Sequence, residues 1–215
     1  RRTEAYREQT ASAEYFAGTA DGTRPGIFYV PIIDAKTFNI TSGVESLFLH
    51  EAIPGHHYQV SLQQENTQAP KFIRYGSSNA YQEGWALYCE SLGKDLGLYT
   101  DPYQYMGALG DEMHRAIRLV VDVAIHSKGW TRQQAIDYMM ANEAISEQSA
   151  VAEIERYMAI PGQALGYKIG ALKIKELRNK LEKSQKEKFD IAEFHDNVLK
   201  FGSLPLKVLE HTILK

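Results

Sequence analysis

The 215-residue sequence has a single cysteine, Cys89, which excludes an intrachain disulfide and a zinc site built from four thiolates. Any bound metal must be held by histidine and carboxylate. No charge of one sign dominates: 24 Lys plus Arg against 27 Asp plus Glu leave a formal net charge of -3. The basic field that counterion-releasing nucleic-acid binders need is missing, so no nucleic-acid partner is expected. No apolar run approaches the roughly 18 residues of a membrane span. The opening Arg1-Arg2-Thr3-Glu4-Ala5 has neither an initiator methionine nor a signal-peptide core, as expected for an excised piece of a longer chain. Internal repeats, low-complexity tracts and linkers rich in Pro, Gly or Ser are also lacking. With 44% hydrophobic and 24% charged residues, a single globular unit over 1–215 follows.

What is present reads as mostly helical. Residues 1–20 are polar and helix-compatible, and Asp21-Gly22-Thr23-Arg24-Pro25-Gly26 packs turn formers into a break. The next stretch, Ile27 to Ile33, is β-branched and aromatic, and Pro31 within it argues for a short edge strand or small sheet near 27–33. Thr41 or Ser42 can cap a helix through Val44, Leu47 and Phe48 that delivers His50. Further helices are expected over about 78–96, 103–127, 132–142 after the cap Thr131, 147–159, 164–188 and 190–201. The charged, amphipathic stretch 173–188 reads as a solvated helix face.

The most informative segment is Leu49-His50-Glu51-Ala52-Ile53-Pro54-Gly55-His56-His57-Tyr58-Gln59. A His-Glu pair followed by more histidines at the end of an apolar helix is how zinc peptidases place ligands and a general base. In the common pattern the second ligand lies four residues after the first, and that position here is Pro54, which cannot ligate. His56 reaches the same metal if Pro54 and Gly55 widen or break the helical turn. His57 points the right way on a regular helix but lies about 10 Å along the axis from His50, too far for one ion. His56 therefore ranks above His57. A third ligand should be a carboxylate on another helix, and Glu83 offers one; Gly84 beside it permits close backbone approach. Glu90, seven residues on and on the same face, suits a role orienting a ligand or a substrate-binding group. The bland alternative is a cluster of partly buried histidines with no metal.

Asp111, Arg115, Arg118, Asp122 and His126 recur at three and four residues on an otherwise apolar helix. Such a stripe is either exposed or paired inside, and the flanking apolar residues favour a buried Arg-Asp-His network near the metal. Farther on, a Pro161-Gly162 turn is surrounded by Tyr157, Gln163 and Tyr167. Their hydroxyls either donate to an oxyanion or simply pack a loop, and spacing does not decide between the two.

His50-Glu51-Ala52-Ile53-Pro54-Gly55-His56-His57-Tyr58-Gln59, Glu83-Gly84-Trp85-Ala86-Leu87-Tyr88, Arg118-Leu119-Val120-Val121-Asp122 with His126 and Gly129-Trp130-Thr131, and Pro161-Gly162-Gln163-Ala164 with Tyr167 together resemble the large bacterial group called domain of unknown function 885. Asp21 to Gly26 with Phe28-Tyr29-Val30 matches as well, so the resemblance runs over nearly the whole chain. That group is similar to gluzincin zinc peptidases of the thimet-oligopeptidase and Taq-carboxypeptidase types. Two departures stand out: the second histidine comes two residues late, and family members are longer, so this chain corresponds to their C-terminal part.

The resemblance implies a zincin-like helical catalytic region with zinc on His50, His56 and Glu83, Glu51 as general base, and Tyr157, Tyr167 or His126 steadying the oxyanion. His57, Glu90, Arg118, Asp122 and Gln163 would surround the ligands or substrate. The expected partners are a peptide substrate and the missing N-terminal half of the same protein, in a bacterial, exported setting. The alternative is a non-catalytic helical module with a structural or vestigial metal site.

Overall fold

A computed structural model describes residues 1–8, 13–32 and 43–215. Ile33 and the candidate caps Thr41 and Ser42 lie outside the described residues. The chain is mainly helical with a small two-stranded sheet. Strands β1 (Glu14–Phe16) and β2 (Ile27–Tyr29) pair antiparallel, with Tyr15 opposite Phe28. The described part of 1–20 is therefore not helical. The extended 27–30 segment needs partners for its backbone groups, and both β1 and the chain start supply them: Thr3 N donates to the Val30 carbonyl at 3.0 Å. β2 ends before Pro31, which cannot donate to a ladder.

The helices are α1 (Val44–Glu51), α2 (His56–Glu65), α3 (Lys71–Arg74), α4 (Asn79–Glu90), α5 (Pro102–Lys128), α6 (Arg132–Asn142), α7 (Glu147–Ala159), α8 (Gln163–Gln185), α9 (Ile191–Leu199) and α10 (Leu206–Ile213). Their ends follow local chemistry. Asp101 caps α5 by accepting from Tyr103 N, with Pro102 in the first turn, and Gly129 closes it at φ 72. Thr131 and Gln134 form a reciprocal capping box on α6, and removing such a cap typically costs about 1 kcal/mol. Ser146 and Asp190 cap α7 and α9. α4 stops at Glu90 rather than running on to Leu96, because the backbone tightens to Ser91 N→Tyr88 O and Leu92 N→Cys89 O bonds ahead of Gly93 and Gly97. The sequence pattern does not mark α2, α3 and α10 as separate helices. α10 nonetheless carries Leu206, Leu209 and Ile213 on one face, docked on a core of Tyr81, Trp85, Ile174, Leu177 and Phe194.

α4 is the central helix, buried continuously from Gly84 to Glu90. It packs along α8, where a Cβ on Gly84 would lie 2.4 Å from Gly170 Cα. Only paired glycines allow that approach; adding bulk to such a contact costs about 1–3 kcal/mol. A second core joins α5, α6 and α7 through Ile117, Val121, Ile136, Met139, Ile154 and Tyr157. A cleft opens between these two packed units, with α1 and β1 at its edge. No helix among the described residues is long and apolar enough to cross a membrane.

Candidate metal centre and its cleft

α1 carries His50 and Glu51 to its C-terminal end, both buried, and the chain then leaves the helix at Ala52 (φ -103, ψ -100). Pro54 prevents the helix from continuing, and α2 starts afresh at His56. The break is held on two sides. A Cβ on Gly55 would lie 1.9 Å from the His50 carbonyl oxygen, so only glycine lets the chain double back so closely. From the other side, Trp85 Nε1 of α4 donates to the Pro54 carbonyl at 2.8 Å.

The break turns His56 toward His50 and turns His57 away. One ligand-type atom from each of His50, His56 and Glu83 lies within 4.8 Å of the others. His56 Nε2 is 3.2 Å and His50 Nε2 3.7 Å from Glu83 Oε2, and the two imidazoles stand nearly perpendicular at 88°. His57 Nδ1 instead sits 3.0 Å from the Tyr15 hydroxyl of β1. Glu83 Oε2 is buried yet has no hydrogen-bond partner, so the atom facing both imidazoles is bonded to neither. Two imidazole nitrogens and one carboxylate oxygen aimed at a common point make a donor set suited to zinc.

The surroundings orient these three groups. Glu90 Oε1 lies 2.7 Å from His50 Nδ1, which leaves His50 Nε2 directed at Glu83. Gln163 Nε2 donates to the other Glu83 oxygen at 3.2 Å, and the Gln163 backbone is itself held by Asn79 Nδ2 at 2.9 Å. Tyr167 stacks on His50 with ring centroids 6.0 Å apart. Burial would lower the His50 pKa, but the Glu83 and Glu90 carboxylates override it and push it up to about 9. Burial likewise opposes ionisation of Glu83, yet the imidazoles of His50 and His56 facing its carboxylate hold it well below the usual carboxylate range. Glu51 is raised by burial, against the opposing charges of His50 and His56.

The cleft has a volume of about 820 Å³, and His50, Glu51, His56, Glu83, Gln163 and Tyr167 all line it. Its opposite wall is charged. Arg118 Nε donates to the Tyr157 hydroxyl at 2.8 Å and its Nη2 to Glu153 at 3.1 Å, while Tyr157 donates to Glu153 at 2.6 Å. The Tyr157 hydroxyl is thus committed, and Tyr157 does not line the cleft. Asp122 accepts from Gly162 N at 3.0 Å, fixing the turn that starts α8. His126 is an exposed side chain whose Nε2 lies 3.0 Å from the Tyr157 carbonyl, and the structure does not bring it to the cleft. The anticipated Arg-Asp-His network is consequently divided: Arg118 serves the cleft, Asp122 the turn and His126 the outer surface.

Sequence reasoning missed His114, Glu143 and Glu153, all lining the charged wall. His114 Nδ1 lies 2.9 Å from Glu143, and its Nε2 is 3.7 Å from Glu153. The signal was available for His114, which stands three residues after Asp111 and four before Arg118 on the same stripe.

The chain aligns over its whole length with two solved structures. One, described as a "putative lipoprotein" of Colwellia psychrerythraea, is 44% identical with a TM-score of 0.96, and the match spans 37% of that protein. The other, a "putative lipoprotein of unknown function" from Shewanella oneidensis, has a TM-score of 0.82 at 24% identity over 40% of its length, and shows a shared fold. The chain therefore spans well under half of each of these proteins. No curated protein matches the sequence. The family model described as "Bacterial protein of unknown function (DUF885)" matches residues 1–213, and the chain belongs to that family.

Proposed function

We propose that the cleft is the active site of a zinc-dependent peptidase acting on small peptides. The observation that carries this reading is the convergence of His50, His56 and Glu83 on the floor of an open cleft that Glu51 also lines. His50, His56 and Glu83 would hold the zinc, which when bound would polarise a substrate carbonyl and acidify water. Glu51 stands next to His50 in sequence but outside the donor set, the position a proton carrier requires. Its carboxylate takes a proton from the attacking water and returns it to the amide nitrogen as the peptide bond breaks. Of the three groups considered for the oxyanion, Tyr167 alone lines the cleft, and its hydroxyl accepts from Gln163 Nε2 at 3.3 Å, leaving its own proton free to donate.

A relationship to gluzincin peptidases and a zincin-like arrangement of α1, α2 and α4 belong to this proposal. So does an exported bacterial location, which the lipoprotein descriptions of the two solved relatives support. Because those relatives are more than twice as long, the remainder of the protein is proposed to complete the substrate cleft. The test is Glu51→Gln in the full-length protein. Zinc content should be unchanged and hydrolysis of short peptides should fall by at least about 100-fold, the usual effect of losing a general base. Unchanged turnover in Glu51→Gln would refute the mechanism and leave the metal site a structural one.

A further inference from the structure

On the charged wall of the cleft each carboxylate already has a partner, Asp111 facing Arg115 Nη1 at 3.6 Å, yet guanidinium donors are left over. Glu143 is taken by His114 at 2.9 Å. Glu153 accepts from Tyr157 at 2.6 Å and from Arg118 Nη2 at 3.1 Å, and Asp111 accepts from Ser46 Oγ at 2.6 Å. Arg118 Nη1 and Arg115 Nε nevertheless remain buried without a partner. The Arg118 side chain is only 6% exposed, so bulk water does not compensate it. A buried guanidinium N–H without an acceptor is costly, and a ligand that removes the cost must bring acceptor oxygens.

We propose that Arg115 and Arg118 form a carboxylate-binding subsite, and that the carboxylate it takes is the C-terminal one of a peptide substrate. Both arginines line the cleft. The planar fork of a guanidinium matches a carboxylate with paired N–H donors, which a point charge does not. The subsite is tied to the metal centre through one ring: Tyr167 has Arg118 Cζ 4.7 Å and Arg115 Cζ 5.8 Å from its centroid, and stacks on His50 at 6.0 Å. The arginines and His50 are thus separated by no more than about four residues of extended chain. With its terminal carboxylate anchored there, a peptide presents to Glu51 a bond close to its C-terminus, so short C-terminal fragments are released and internal cleavage of long chains is not. This consequence rests on the peptidase reading, whereas the subsite itself is open to test without hydrolysis.

The test is calorimetric binding to chelator-treated, metal-free full-length protein of three peptides: acetyl-Ala-Ala-Ala with a free C-terminus, its C-terminal amide, and acetyl-Ala-Glu-Ala amide. The free acid should bind about 10-fold or more tighter than its amide, the scale of a hydrogen bond to a charged group. The glutamate peptide, whose only carboxylate is on a side chain, should bind no better than the amide. Arg115→Gln should erase the preference, and so should Arg118→Lys, which keeps the charge and loses the fork. Arg118 is buried among Tyr157 and Glu153 and its variant can misfold, so the more exposed Arg115 provides the second variant, with helicity checked by circular dichroism. Equal binding of acid and amide, or a preference that survives Arg115→Gln, overturns the subsite. Binding of the glutamate peptide as tight as the free acid overturns the C-terminal assignment. Acid preference in the metal-free protein together with no hydrolysis of the free-acid peptide by the zinc-reconstituted protein supports the subsite and refutes the peptidase reading alone.

Discussion

His50 Nδ1 and Glu90 Oε1 meet at 2.7 Å with both side chains almost fully buried. The contact joins the last turn of α1 to the last turn of α4, across a separation of 40 residues in sequence. A carboxylate on one imidazole nitrogen fixes which nitrogen is available on the other side and makes it a better donor. In His50 the freed nitrogen is the one that faces Glu83 Oε2.

Glu90 and Glu83, seven residues apart on one helix face, are accordingly expected to differ in kind. Glu83→Ala should abolish zinc binding, whereas Glu90→Ala should weaken it by about 10–100-fold, as second-layer changes do. Competition titration against a chromophoric chelator measures both. Zinc lost from Glu90→Ala and kept by Glu83→Ala would reverse the assignment.

The neighbouring histidines provide a sharper contrast, because adjacent residues share every influence except direction. His56→Ala should lose zinc. His57→Ala should retain it, since His57 is occupied with Tyr15 on β1. The same titration decides the matter, and retention by His56→Ala would show that the break at Pro54-Gly55 has been misinterpreted.

Glu153 makes acid stability on the charged wall testable. Burial would raise its pKa, but the His114 imidazole 3.7 Å away, the Arg118 charge and the Tyr157 hydroxyl hold it well below its ordinary value of 4.5. A carboxylate depressed in the folded state contributes stability that is present above 4.5 and is lost as the pH falls through and below that value. The melting temperature of the native protein should therefore drop more steeply between about pH 5 and pH 3 than that of Glu153→Gln. Parallel curves for the two proteins would exclude this contribution.

Much of this arrangement is legible in the sequence where the determinants are local. The cap Thr131 marks the start of α6 to the residue, and Pro54-Gly55 marks the break that separates His56 from His57. What stays hidden depends on partners far away in the chain. Tyr157 looks like an available hydroxyl until Arg118 of α5 and Glu153 are brought onto it. His126 follows the same periodic stripe as Arg118, but along 27 residues of α5 the stripe winds away from the cleft. The aromatic Tyr15-Phe16 pair is too short to declare a strand and becomes one because β2 needs a partner.

The central claim, that His50, His56 and Glu83 together hold one zinc ion, is tested most directly by metal analysis of the full-length protein after zinc reconstitution and desalting. The account predicts one equivalent of zinc in the native protein and none in Glu83→Ala at unchanged helicity. A native protein that retains no zinc, or a Glu83→Ala variant that retains a full equivalent, would contradict it.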